Sequence, residues 1–278
     1  MCRDIKLQRA GATERQYTNP DGQLVSFTDS IHEKLNKFSS KWVGKIPYYL
    51  RILKRIQKGY LVVMYHSVSD TVEDYLYNVT QDAFTAQIAY FAENFHVVNI
   101  EDMIENLRNN IQPSQLKVVI TFDDGYINNY EIAYPILKKY LTPATFFIAT
   151  DFIDGKKVKN LGGAKDIPPM NWDHIKEMSS HELVTIGSHT CSHVLLPSLP
   201  DNEIEKEVEE SKTIIEQHIT QSVDTISYPK GLFDLRTMKA VKEAGYTGGF
   251  CSEWMVNTSK RNMYWFGRIA IRKHPFNL

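Results

Sequence analysis

Two carboxylates, Asp123 and Asp124, stand side by side at the end of the apolar run VVITF, and Gly125 follows them. Adjacent negative charges at a strand end repel and are partly desolvated. Either they are turn formers, a common use of Asp and Gly, or a cation offsets them. A second polar knot, SHTCSH, holds His189 and His193 four residues apart. At that spacing two imidazoles can converge on one ion from a helix or a compact turn. The ordinary alternative is a surface or core pair of histidines. Cys191 sits between them, but the short spacing hinders convergence of all three. Taken together, one carboxylate and two His make a three-ligand set with an open position, the usual composition of a catalytic Zn²⁺ site. With Asp124 as ligand, Asp123 is left beside the activated water as a base, and the cation lowers that water's pKa from about 16 toward about 7.

These residues follow short β-rich runs. The strand candidates are LVVMY, HVVNI, KVVITF, ATFFIA, LVTIGS, DTISY, GGFCS and WFGRIAI. Amphipathic stretches such as DAFTAQIAYFAENF and NEIEKEVEESKTIIEQHI lie between most of them. Strands alternating with helices imply parallel βα units. Their number predicts an α/β fold, a distorted (β/α) barrel of about seven units, with chemistry at the C-terminal ends of its strands. That rule puts His66, Asp123–Asp124–Gly125, His189 and the turn Tyr228–Pro229–Lys230–Gly231 on one rim. Taken alone, His66 reads as a satisfied buried histidine, and the turn carries little information.

In combination, the residues resemble the polysaccharide deacetylases, carbohydrate esterase family 4, also called the NodB-homology domain. TFDDG resembles the first motif of that family, and HTCSH its His-Ser/Thr-x-x-His metal motif. The order of MYHSV, TFDDGY, NWDHIKEM, IGSHTCSH, SYPKG and WFGRI resembles the permuted subgroup that includes poly-N-acetylglucosamine deacetylases. The resemblance runs from about Gly59 to the C-terminus. It implies a metal-dependent hydrolase acting on an N-acetylated glycan, with Asp123 as catalytic base and Asp124, His189 and His193 as ligands of Zn²⁺, or of Co²⁺ or Ni²⁺. It also implies His66 as general acid, in preference to His274 of IAIRKH, and a bell-shaped pH profile. Where the family carries Arg-x-Pro-Tyr, this chain has Ser227, Tyr228, Pro229 and Lys230. The Arg and the final Tyr are missing, though the Lys230 backbone N–H can still face an oxyanion. Arg268, the only Arg of the last strand candidate, is expected to pair with Asp123 in place of the lost Arg. Tyr126, Trp172, Trp254 and Trp265 are candidate sugar contacts, each with ordinary packing as its alternative. The rival functions are a non-catalytic carbohydrate-binding relative and a metal-dependent amidase or esterase on a small substrate.

Composition sets the frame. The chain has 278 residues, 42% hydrophobic and 23% charged, with net charge −1. Nothing there indicates a nucleic-acid partner. Three scattered cysteines make no disulfide framework. Residues 1–58 form an expected extension before the barrel of 59–278: a loose polar arm to about Leu24, then helices over 31–42 and from Pro47. Residues 41–58 hold six basic and no acidic residues. That pattern suits either a solvated helix face or peripheral contact with an anionic membrane. No apolar leader segment is visible, so the expected location is cytoplasmic or membrane-peripheral, or extracellular if a leader is missing. Asn78 and Asn257 each open an N-glycosylation pattern.

Overall fold

The computed structural model describes residues 16–18, 24–26, 58–72, 74–156, 158, 161, 167–259 and 262–272. The chain divides into two units, Met1–Lys45 and Ile46–Leu278. In the first unit β1 (Gln16–Thr18) pairs antiparallel with β2 (Leu24–Ser26). At Gln16–Thr18 this pairing replaces the expected loose arm; the rest of that arm lies outside the described residues. The expected helices over 31–42 and 47–56, the basic segment up to Gln57 and His274 lie outside the described residues.

The second unit carries, in chain order, β3 (Gly59–Tyr65), β4 (Ser67–Val68), β5 (Asn78–Val79), α1 (Gln81–Asn94), β6 (His96–Val97), α2 (Ile100–Arg108) and β7 (Leu116–Phe122). Then follow α3 (Tyr134–Lys139), β8 (Ala144–Ile148), α4 (Thr150–Ile153), α5 (Trp172–Ser179), β9 (Val184–Ser188), α6 (Asp201–His218), β10 (Thr225–Ser227), α7 (Leu235–Glu243), β11 (Gly248–Phe250) and β12 (Ile269–Ala270). Seven strands lie in the order β12-β3-β7-β8-β9-β10-β11. Each pairing along this path is parallel. The expected strand HVVNI shrinks to β6, which pairs with β7 beside the main path.

The sheet curls into the expected distorted barrel, and the segment after Trp265 draws its ends together. Phe266 hydrogen-bonds β11 through Phe266 N–H to Gly249 O at 2.9 Å and Cys251 N–H to Phe266 O at 2.8 Å. Three residues later Ile269 and Ala270 pair with Val63 and Met64 of β3. The run read as one strand, WFGRIAI, therefore serves two neighbours in succession.

Strand β3 is buried along its whole length. Parallel strands covered on both faces read as continuous apolar runs, which is why LVVMY and VVITF stand out in the sequence. Helix α2 starts at Ile100 because Asn99 caps it, its Oδ1 accepting from Asp102 N–H at 2.7 Å, and Glu101 and Asp102 suit the positive end of the helix dipole. Its apolar face, Ile100, Met103, Ile104 and Leu107, joins Tyr60, Val62, Val119, Phe147, Phe250 and Phe266 in one core cluster. Gly187 belongs to the same packing: a Cβ there would come within 2.5 Å of the Phe147 ring.

Side chains alternate along a strand with period two. Counting on from the core members Val62, Val119, Phe250 and Phe266 brings His66, Asp123, Ser252 and Arg268 onto the same face, at the C-terminal rim. Core and rim meet where the Arg268 guanidinium lies 5.5 Å from the Phe147 ring centre.

Candidate active site

Asp124, His189 and His193 converge. One potential ligand atom from each lies within 4.8 Å of the others, and all three residues are buried. His189 Nε2 is 3.4 Å and His193 Nε2 is 3.5 Å from Asp124 Oδ1. That oxygen has no hydrogen-bond partner among the described residues. His189 Nδ1 lies 2.8 Å from Ser227 O. A carbonyl only accepts, so Nδ1 carries the proton and Nε2 presents its lone pair. An orphaned buried carboxylate oxygen facing two imidazole nitrogens, one in a fixed tautomer, fits a divalent cation. Cys191 is not in this set; burial pushes its thiol up to about 12.

The backbone is strained where these groups are placed. Six described non-glycine residues have positive φ, and four of them are Asp124, Thr190, His193 and Lys230. Such conformations persist only where the surroundings over-determine them, and they gather at functional sites. Gly125 follows with φ 92°, and a Cβ there would meet Ile153 at 3.0 Å and Ile148 at 3.3 Å. The DDG turn thus needs its glycine. Around Thr190 and His193 the restraint comes from α6. The Glu207 carboxylate accepts from Cys191 N–H at 3.0 Å and Ser192 N–H at 2.9 Å, and also from Ser192 Oγ.

Asp123 is not one of the three convergent residues; its Oδ2 lies 3.9 Å from His189 Nε2. Both its oxygens are held by Arg268, Nη1 to Oδ1 and Nη2 to Oδ2, each at 2.7 Å. Ser227 Oγ donates to Oδ2 at 3.1 Å and accepts from Arg268 Nη2 at 2.7 Å. Arg268 Nε donates to Cys251 O at 3.0 Å. The expected pairing of Arg268 with Asp123 is therefore present. Ser227, standing where the family motif has Arg, completes it with its hydroxyl and orients His189 with its carbonyl.

Burial would raise both carboxyl pKa values, but their partners reverse the sign. Arg268, then His189 and His66, hold Asp123 below the ordinary carboxylate range. His189, His193 and His66 hold Asp124 well below it. Burial lowers His66, and the nearby Asp124 and Asp123 offset only part of that. His193 falls to about 4, by burial and then by the neighbouring His189. For His189 the carboxylates outweigh burial and raise it.

His66 follows β3 on the same rim and packs at a tilt against Tyr77, with ring centroids 4.6 Å apart. Its carbonyl accepts from Asn129 Nδ2 at 2.7 Å. Asn129 opens a single π-helical turn, Asn129–Ala133, a distortion often found at functional sites. The turn after β10 places Lys230 at φ 58° with an exposed side chain. Tyr228 and Tyr126 are buried, so neither presents a face to a sugar ring. Tyr228 donates to Tyr264 O at 2.9 Å and stacks on Phe233, and Pro229 beside it is also buried. Tyr126 packs with Tyr75 and Ile167. Trp172 stacks on His218 at 3.9 Å. Trp265 packs edge-on against Phe233 and bonds Glu253, whereas Trp254 is 66% exposed. Asn78 and Asn257 are buried, which removes them as glycosylation acceptors.

Comparison with known proteins shows the family. The family model described as polysaccharide deacetylase matches residues 110–249. The chain belongs to this family and is a polysaccharide deacetylase, a hydrolase. It is 31% identical over 211 residues to YxkH of Bacillus subtilis (strain 168), covering 76% of this chain and 70% of that one. It is 27% identical over 264 residues to the poly-beta-1,6-N-acetyl-D-glucosamine N-deacetylase of Staphylococcus aureus (strain MSSA476), covering 92% of this chain and 88% of that one. Among solved structures it is similar to the Streptococcus pyogenes deacetylase PplD in complex with acetate, with TM-score 0.68, 25% identity and coverage of 78% and 93%. The fold of IcaB from Ammonifex degensii matches with TM-score 0.68 at 23% identity, covering 78% of this chain and 93% of that one.

Proposed function

We propose that this chain hydrolyses the N-acetyl groups of a poly-N-acetylglucosamine-type glycan. The observation that carries this reading is the convergence of Asp124, His189 and His193 beside an Asp123 whose two oxygens are fixed by Arg268. The likeness to the staphylococcal N-deacetylase over most of both chains supports the choice of glycan. A divalent cation held by Asp124, His189 and His193, Zn²⁺ by the donor set with Co²⁺ or Ni²⁺ as substitutes, would polarise an acetyl carbonyl and acidify a water beside it.

The protein's own groups do the rest. Asp123 takes a proton from the attacking water as the water oxygen adds to the acetyl carbon. The Lys230 backbone N–H donates to the oxyanion that results. His66 gives a proton to the amide nitrogen as the C–N bond breaks. Burial of His66 makes its imidazolium a stronger acid and lowers the pH at which it stays protonated. Acetic acid, which ionises to acetate, and an amine leave; Asp123 then gives its proton up to solvent and His66 takes one back. The pairing with Arg268 keeps Asp123 ionised and aimed, at some expense of its basicity.

The test is acetate release from N-acetylglucosamine oligomers, with O-acetylated glycans and small acetamides in parallel. Release from the oligomers above the other substrates supports the reading. Binding of the oligomers without acetate release from any substrate would overturn it in favour of a carbohydrate-binding role.

A further inference from the structure

A general acid must hold one orientation, and hydrogen bonding at the ring does not supply it for His66. A catalytic imidazole is ordinarily aimed through its second nitrogen. His66 Nδ1 is buried and has no hydrogen-bond partner among the described residues. Aromatic rings contact it instead. Tyr77 lies 4.6 Å away with 30° between the planes, and Tyr75 meets it nearly edge-on at 6.3 Å.

This contact is built by register. Strands β4 and β5 pair Ser67 with Asn78 and Val68 with Val79, so the next positions facing each other are His66 and Tyr77. Pairs at such positions are within side-chain reach. Each strand is only two residues long, too short to stand by its ladder alone. Buried Asn78 fastens the pair: its Oδ1 accepts from Ser67 Oγ at 2.7 Å, and its Nδ2 donates to Ser69 O and Val72 O, each at 2.8 Å. On Tyr77 in turn lies Arg272, with its guanidinium 5.2 Å from the ring centre and Nη2 3.4 Å from the hydroxyl. Arg272 is carried there by Ile271, whose N–H bonds Met64 O at 2.9 Å on β3, the strand that His66 follows.

We propose that Tyr77 is a positioning residue for the reaction: its ring, backed by Arg272, fixes the plane of the His66 imidazole. The inference rests on the reading of His66 as the proton donor. A ring that instead bound the sugar would act on KM, and a ring that only filled space would act on every substrate alike.

The experiment measures kcat and KM for acetate release from an N-acetylglucosamine oligomer with Tyr77→Leu and Tyr77→Phe. Both are made in the native chain and in His66→Asn. Tyr77→Leu is expected to lower kcat by roughly 10- to 100-fold, the scale of a misplaced catalytic group, with KM nearly unchanged. Tyr77→Phe is expected to restore most of it. In His66→Asn the Leu substitution is expected to cost nothing further. Hydrolysis of an aryl acetate, whose leaving group needs no proton, is expected to survive Tyr77→Leu and also reports that the variant is folded. Equal losses in both backgrounds, a loss confined to KM, or an equal loss on the aryl acetate would overturn the proposal. So would an undiminished kcat in Tyr77→Leu while His66→Asn is impaired. If His66→Asn itself kept full kcat, the reading of His66 would fail first, and the positioning role with it. Should Tyr77→Leu not fold, Tyr77→Met and the exposed Arg272→Gln are read by the same criteria.

Discussion

Arg268 and Asp123 form a two-pronged ion pair across 145 positions of sequence, with both N–O distances 2.7 Å. Both side chains are almost wholly buried. Such a pair adds little net stability against an apolar equivalent, yet breaking it from one side strands a charge at a cost of about 3–5 kcal/mol. Its value here is geometric, since a planar fork allows one orientation of the carboxylate.

Arg268→Ala is therefore expected to lower the melting temperature markedly and to reduce turnover at least about tenfold by loosening the base. Arg268→Lys keeps the charge but not the fork, and is expected to recover stability better than turnover. Thermal melts and kcat on one oligomer check both. A native-like kcat in Arg268→Ala would remove Arg268 from the account.

Glu207 never reaches the ligand cluster, yet it ties the backbone between His189 and His193 to α6. Glu207→Ala is expected to weaken metal binding by about 10-fold or more, as loss of outer partners generally does, in a protein that remains folded. Competition against a chromogenic chelator reads the affinity directly, and circular dichroism reads the fold.

Asp234 caps α7, with Oδ1 accepting from Thr237 N–H at 2.8 Å and Thr237 Oγ1 at 2.9 Å. Asp234→Ala is expected to cost about 1 kcal/mol of stability. Slight burial would raise the carboxyl pKa, but the Thr237 bonds and Arg236 bring it below the ordinary value. A depressed folded-state value means the stabilisation is present above the unfolded pKa of about 4 and is lost as pH falls through the folded one. The melting difference between native chain and variant should accordingly be constant near neutrality and shrink in acid. A difference that grew in acid would contradict the sign.

What could be read in advance follows from what is local. Asp123, Asp124, His189 and His66 were legible because each ends an apolar run, and strand ends of a barrel share a rim. Arg268 was legible through an omission, the missing Arg of the third motif, and the last strand candidate supplied the only replacement. Ser227 was not, because a serine in a strand is ordinary until its hydroxyl meets Asp123 and its carbonyl meets His189. Glu207 looks like any of the acidic residues along α6, and only packing shows which one faces the loop. Tyr77 required the register of two very short strands, which no pattern of period two can announce at that length. Among the aromatic candidates the ordinary alternative, packing, holds for Tyr126, which lies beside the site in sequence but packs inward, and for Trp172, which stacks on His218, whereas Trp254 is exposed. In the fold, the boundary after Val97 was legible in Asn99–Ile100–Glu101–Asp102, a capped helix start, but the β-branched run HVVNI obscured it. Between β1 and β2, Asn19, Pro20, Asp21 and Gly22 are turn formers, a signal outweighed by the lack of apolar periodicity around them.

The central claim is a division of labour between neighbours, Asp124 as ligand and Asp123 as base. Asp123→Asn separates the two, because the amide nearly preserves shape while removing the basic oxygen. The decisive measurement is bound Zn²⁺ and acetate release on the same preparation of this variant. The account predicts close to one equivalent of metal, as in the native chain, with acetate release from N-acetylglucosamine oligomers reduced by at least about 100-fold. Retained turnover, or loss of the metal together with the activity, would contradict it.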